Sequence, residues 1–313
     1  MYSKEKHEKQ STRIRTEKER TNGDGKTALQ PAAFADHDGK LDDSTGCRSD
    51  GSSSAVEEDP QAYREQHPRT VTQEEKNISS VMLFANSTIK SIYTGNTYAV
   101  PAGKQITQGI DVSKWDSTIN WTRVKNAGTD FAIIRVGCRG YSNGAVYADP
   151  TYETNIAGAN QAGVPAGVYF YSQATTVAEA REEAQYCINK VRGYKIQLPI
   201  VMDLEFAEDS SGYTGRLYKK KLSKAKQTEI CLAFCNTVRS AGYTPMIYGD
   251  KYWLLRKLDL TKLSGYNIDL SQDGDVPDYP YQFVMWDYNH EADIKGISQK
   301  VTMCLSFVDY KMR

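Results

Sequence analysis

The sequence has no charge of either sign to spare: across 313 residues, 39 lysines and arginines face 39 aspartates and glutamates, for a formal net charge of zero. Nucleic-acid binders usually carry a basic face, so no footprint for DNA or RNA is expected. Long hydrophobic runs are also missing. Nothing approaches the ~18–20 apolar residues of a membrane span, and the charged start, Met1 to Asn22, lacks the apolar core of a secretory signal. Cysteine is scarce, with six in the chain (Cys47, Cys138, Cys187, Cys231, Cys235, Cys304), too few for a disulfide-stapled scaffold. No CxxC occurs, and of the four histidines only His290 lies beyond residue 80. Hence no metal site and no cofactor is expected, and the cysteines read as small buried hydrophobes.

Aromatic residues are nearly absent from the first 80 positions, where only Tyr2, Phe34 and Tyr63 occur. That stretch is rich in Ser, Thr, Asp, Glu, Lys and Gly without apolar periodicity. It cannot bury enough surface to offset its ordering entropy, so a disordered N-terminal tail is expected over residues 1–80. Residues 81–104 are mixed and read as a leader strand or linker. A single barrel-like domain, monomeric, is expected over residues 105–313.

From Gln105 onward, short apolar runs alternate with helical patterns. The runs are 109–113, 131–137, 166–172, 198–206 and 244–249. The clearest helix, 176–191, has a Thr176/Glu179 capping box, an apolar face of Val177, Ala180, Ala184, Ile188 and Val191, and a stop at Gly193. Others fall at 119–127, 150–162 and 224–241. Near-continuous apolar strands alternating with helices argue for a parallel sheet covered by helices. A brief helix near 252–258 precedes three more strands, 267–271, 282–288 and 300–308, with too little chain between them for crossover helices. Five β/α units and three bare strands make an α/β, irregular TIM-like barrel of about eight strands, with its active site at the C-terminal strand ends.

Four acids sit at or near those ends: Asp111, Asp203, Glu205 and Asp287. Asp203 and Glu205 are two apart in LPIVMDLEF, so both point to one face while Met202, Leu204 and Phe206 point to the other. Alternate Cβ atoms lie roughly 6.6 Å apart on a strand, between the separations of retaining and inverting carboxyl pairs. The spacing also fits a mechanism in which one carboxyl protonates the leaving oxygen and the other steadies a 2-acetamido group that attacks from within the substrate. Structural alternatives stay open. Either member of the pair could balance Arg135, and Asp111 could cap a turn. Tyr169, Tyr171, Tyr248 and Trp286 also lie at strand ends, where aromatic faces suit sugar rings.

GIDVSKW, FAIIRVGCRGY, DPTYETNIAGANQAGVPAGVYFYSQA, PIVMDLE, MIYGDKYW and MWDY…SFVDY together resemble the glycoside hydrolases of family 25, the Chalaropsis-type lysozymes or N-acetylmuramidases. The resemblance runs from about Gln105 to Tyr310. It implies a (β/α)5(β)3 barrel that cleaves the β-1,4 bond between N-acetylmuramic acid and N-acetylglucosamine of peptidoglycan, outside the cell or in its wall. It also implies Glu205 as general acid, Asp203 as its partner and Asp111 as a further active-site carboxylate. Glu205 should then have a raised pKa while Asp203 stays ionised. The chain departs from the family pattern at Thr302, where an aspartate is usual, at Asp287 within Trp286-Asp287-Tyr288, and at Asp269, where a tryptophan is usual. These departures leave two other readings open: a non-catalytic glycan-binding barrel, or a chitin-directed glycosidase.

Overall fold

The structure, a computed structural model, describes residues 88–93, 96–101, 104–209 and 212–310. The tail expected over residues 1–80 lies outside them. The described chain begins with an antiparallel hairpin, β1 (Thr88–Lys90) and β2 (Thr97–Ala99). It continues through β3 (Thr107–Val112), α1 (Trp121–Asn126), β4 (Phe131–Arg139), β5 (Val146–Ala148), α2 (Tyr152–Ala162), β6 (Ala166–Ser172), α3 (Val177–Val191) and β7 (Ile200–Leu204). Then follow a small hairpin, β8 (Glu208–Asp209) and β9 (Gly212–Tyr213), and α4 (Gly215–Lys220), α5 (Lys224–Ser240) and β10 (Pro245–Asp250). A π-helical turn, Trp253–Lys257, leads to β11 (Asn267–Ser271), β12 (Met285–Ala292) and β13 (Val301–Ser306).

Eight of these strands close a barrel in the order β3, β4, β6, β7, β10, β11, β12, β13. Neighbours from β3 to β12 run parallel, and β13 closes the ring antiparallel to both β12 and β3. This is the irregular (β/α)5(β)3 barrel expected, with the fifth unit's helix reduced to the π-helical turn. Every residue of β4 is buried, as a strand lined by helix outside and by lumen inside requires.

Helix α3 begins where Thr176 accepts the Glu179 N–H. The reciprocal half of the capping box is displaced: the Glu179 carboxylate accepts from the Thr175 N–H (2.7 Å) and from Arg216 (2.6 Å). Ala180, Ala184, Cys187, Ile188 and Val191 form its buried face, and Gly193 follows with φ of 89°, a left-handed turn that glycine adopts without strain. Helix α5 buries Ile230, Phe234 and Val238 and packs beside α3.

Among the described residues, no helix packs closely on β12. The leader hairpin does that work. Tyr98 is buried against Tyr288 (ring centroids 4.3 Å apart) and Trp286 (6.2 Å), and Ser91 Oγ lies 2.9 Å from the Tyr288 hydroxyl. The five described cysteines, Cys138, Cys187, Cys231, Cys235 and Cys304, are free and buried.

Candidate active site

Partners across a β-ladder share a face, and alternate residues along a strand share one too. Asp203 pairs with Tyr171 on β6 and with Tyr248 on β10. Tyr248 pairs with Asp269, and Ser271 with Asp287. Asp287 pairs with Cys304, and Asp111 with Thr302. One continuous luminal row therefore carries Tyr169, Tyr171, Asp203, Tyr248, Asp269, Asp287, Cys304, Thr302 and Asp111. Glu205 stands one residue past β7, half-buried at the mouth. Its backbone carbonyl accepts from Gln173 Nε2 at 2.9 Å, which holds the chain where it leaves the strand.

The row concentrates carboxyls in a dry place. Asp203, 6% exposed, lies in hydrogen-bonding reach of Glu205. Burial raises its pKa well above the ordinary range, and the Glu205 and Asp111 carboxyls beside it push the same way. This departs from the expectation that Asp203 is the ionised partner. Asp203 lies inside the strand whereas Glu205 lies past its end, so burial weighs on the Asp203 carboxyl and disfavours its charged form. Burial also lifts Asp111 to about 7, against the easing effect of the Cys304 thiol. Asp269 and Asp287 are raised by burial and then by their acidic neighbours.

These shifts have a consequence for stability. Each acid keeps its proton in the folded state at pH values where the unfolded chain has released it, so folding takes up protons. Stability therefore falls as pH rises from the ordinary carboxylate range toward the folded values, about 7 for Asp111 and about 6 for Asp116. The expected result is a melting temperature higher at pH 5 than at pH 8, with a shallower slope in Asp111→Asn. A flat profile, or one rising toward pH 8, would contradict the burial argument.

The structural alternatives find other residues. Arg135 bonds Asp149 through Nε at 2.7 Å, and it eases the Asp203 carboxyl only through its charge, without a bond. The turn after β3 is capped by Ser113 and by Asp116, whose carboxylate accepts the Ser113 N–H at 2.7 Å. Asp111 is thus left to the lumen. The aromatic candidates divide. Tyr169 is half-buried and faces the lumen beside Arg135, Asp111 and Asp203. Tyr171 and Tyr248 are luminal but buried. Trp286 is not brought to the site. It is fully buried on the outer face of β12 against Tyr98 and Tyr288, its Nε1 donating to Gln272 O. Alternation places it opposite Asp287.

Two further residues join. His290 lies at the mouth, with Nδ1 3.2 Å from Thr302 Oγ1 and Nε2 3.4 Å from Ser271 Oγ. Cys304 donates to Asp111 Oδ1 at 3.4 Å. Donor atoms of Asp111, Asp287 and Cys304 lie within 4.8 Å of one another. The sequence led us to expect no such ligand set. The antiparallel closure of β13 on β12 and β3 assembles it, bringing Asp111 to Asp287 and Cys304, which lie more than 170 positions further along the chain.

Comparison with known proteins places this geometry. The sequence profile of the glycosyl hydrolases family 25 matches residues 110–297. Lysozyme M1 of Streptomyces globisporus is 33% identical over 108 residues, which is 34% of this chain and 35% of that protein. The N,O-diacetylmuramidase of Chalaropsis sp. is 27% identical over 154 residues, 47% of this chain and 67% of that protein. Among solved structures, the modular autolysin LytC of Streptococcus pneumoniae superimposes with a TM-score of 0.57 at 22% identity, covering 70% of this chain and 52% of that one. The matched part thus spans about a third of the length of lysozyme M1 and half that of the autolysin.

Proposed function

Because the chain belongs to glycosyl hydrolase family 25, we propose that it is a peptidoglycan hydrolase of the lysozyme type. It would cleave the β-1,4 bond between N-acetylmuramic acid and N-acetylglucosamine, at the cell wall or outside the cell. The observation that carries the reading is the Asp203–Glu205 pair, two carboxyls in hydrogen-bonding reach at the mouth of the lumen. In such a pair a proton shared between the two carboxyls is available to Glu205. Glu205, the more open of the two, gives it to the oxygen of the leaving sugar as the C1–O bond breaks and its electron pair moves to that oxygen. Asp203 then carries the negative charge and orients the 2-acetamido group, whose carbonyl oxygen bonds to C1. Water then attacks C1, the bond between C1 and the acetamido oxygen breaks, and a proton of the water returns to the pair. Asp111, with Asp287 and Tyr248, faces the positive charge that develops at the sugar. Tyr169 lies where a sugar ring would pass.

A glycan-binding barrel without turnover is the second reading. The observation that favours it is Thr302, which faces His290 where a carboxylate is usual in the family. Incubation with purified peptidoglycan and with chitin separates the readings. New reducing ends from peptidoglycan alone support the hydrolase. Sedimentation with walls and no new ends supports the binding barrel, and release from chitin supports a chitin-directed enzyme.

The proposed reaction routes no step through a metal or a disulfide. Activity is expected not to fall on addition of a chelator or of mild reductant, measured as the initial rate of reducing-end release. A rate that collapses with chelator would contradict the mechanism.

A further inference from the structure

We propose that Asp111, Asp287 and Cys304 form a binding site for a thiolate-seeking divalent cation, with zinc the best match, and that the ion occludes the catalytic lumen. The hydrolysis proposed above gives Cys304 no task, yet its thiol stands on the luminal row aimed at Asp111 Oδ1, 3.4 Å away. A tetrahedral zinc ion with Zn–S of about 2.3 Å and Zn–O of about 2.0 Å holds its sulfur and oxygen donors roughly 3.5 Å apart. The third donor, an Asp287 oxygen, lies within 4.8 Å of both, so closure on an ion needs only a side-chain rotation.

A separate observation points to a cation. Asp287 is 1% exposed, and among the described residues neither of its oxygens has a well-aligned hydrogen-bond donor, the Cys304 thiol lying beside it as a weak one. The nearby thiol is turned toward Asp111. Asp269, also 1% exposed, directs an unpartnered Oδ1 into the same lumen, where its acidic neighbour is Asp111. Buried carboxyls without donors are costly. Protonation removes the charge but leaves an O–H with nothing to donate to. Among the described residues, the buried guanidinium beside this face, Arg135, is held by Asp149. A divalent ion would satisfy the Asp287 oxygens and the Cys304 sulfur together, with water or Asp269 as fourth ligand. The donor set selects the ion: a thiolate with two carboxylates suits zinc or cobalt and disfavours magnesium and calcium, which take oxygen ligands. Binding exchanges ion for protons, since the thiol and the carboxyls must give theirs to the buffer.

The test reads binding directly on the full chain, so it stands whether or not the wall is the substrate. Cobalt(II) titration should produce a thiolate-to-cobalt charge-transfer band that saturates at one equivalent. Zinc calorimetry should give one site whose heat depends on the ionisation enthalpy of the buffer, while magnesium gives no heat. Cys304→Ser should abolish the band, and Asp287→Asn should weaken zinc binding by at least about tenfold. Cys138→Ser, a buried cysteine on β4 away from the trio, should keep the band. That control separates loss of the ligand from loss of the fold, as does a cooperative melt for each variant. Absence of band and heat in the parent chain would overturn the proposal, as would a band that survives Cys304→Ser in a folded protein. Where walls are hydrolysed, zinc should slow the reaction and a chelator restore it.

Discussion

Glu205→Gln is expected to lower turnover on peptidoglycan by ~10²–10⁴-fold, the usual contribution of general acid catalysis, with KM nearly unchanged. The amide keeps the shape of the side chain and a hydrogen bond to Asp203, but it has no proton to give the leaving oxygen. Because Glu205 is half-buried at the mouth, the melting temperature should stay close to that of the parent. This separates loss of chemistry from loss of fold. Asp203→Asn should cut turnover as well and should move the acidic limb of the pH profile, since Asp203 and Glu205 titrate together. A Glu205→Gln protein as fast as the parent would remove Glu205 from the role of acid and leave Asp111 and Asp287 as the remaining candidates.

Asp149→Ala is expected to destabilise the barrel by about 3–5 kcal/mol, the cost of leaving one member of a buried ion pair without the other. Its side chain is wholly buried, as is nearly all of that of Arg135. The same carboxylate accepts from the Lys114 N–H (3.0 Å), the Thr151 N–H (2.9 Å) and the Thr151 hydroxyl (2.7 Å), so it also ties the turn after β3 to the start of α2. For a domain of this size the loss corresponds to a fall in melting temperature of roughly 6–20 °C. The double variant Arg135→Met/Asp149→Ala should recover part of the loss, because it removes the stranded charge. A fall of less than about 2 °C in Asp149→Ala would show that the pair is not what holds this corner.

The barrel was legible in the sequence because its strands carry the signal that burial on both faces imposes. β4, β6 and β7 read as near-continuous apolar runs, and α3 and α5 as helices with caps and stops. Short elements escaped. β5, β8 and β9 have two or three residues each, and α4, with only Gly215 and Leu217 buried, is too brief for a periodic pattern. The Asp203–Glu205 pair was legible from period two alone. Period two applied to β12 would also have turned Trp286 away from the lumen, since it neighbours Asp287. Cys304 and His290 were not legible. Their neighbours are set by β13 running antiparallel between β12 and β3, a pairing that sequence spacing does not encode. Nor was the weight of burial on Asp203, which depends on how deep each carboxyl lies rather than on its residue type.

The central claim, hydrolysis on the muramic acid side of the glycosidic bond with Glu205 as the acid, has one direct measurement. Purified peptidoglycan is digested with the parent chain and with Glu205→Gln, the products are reduced with borohydride, and the amino sugar alcohols are identified after acid hydrolysis. The account predicts muramitol from the parent, formed in proportion to enzyme and time, and on the order of 10²-fold less or lower from Glu205→Gln. Glucosaminitol in place of muramitol, or equal muramitol from the two proteins, would contradict it.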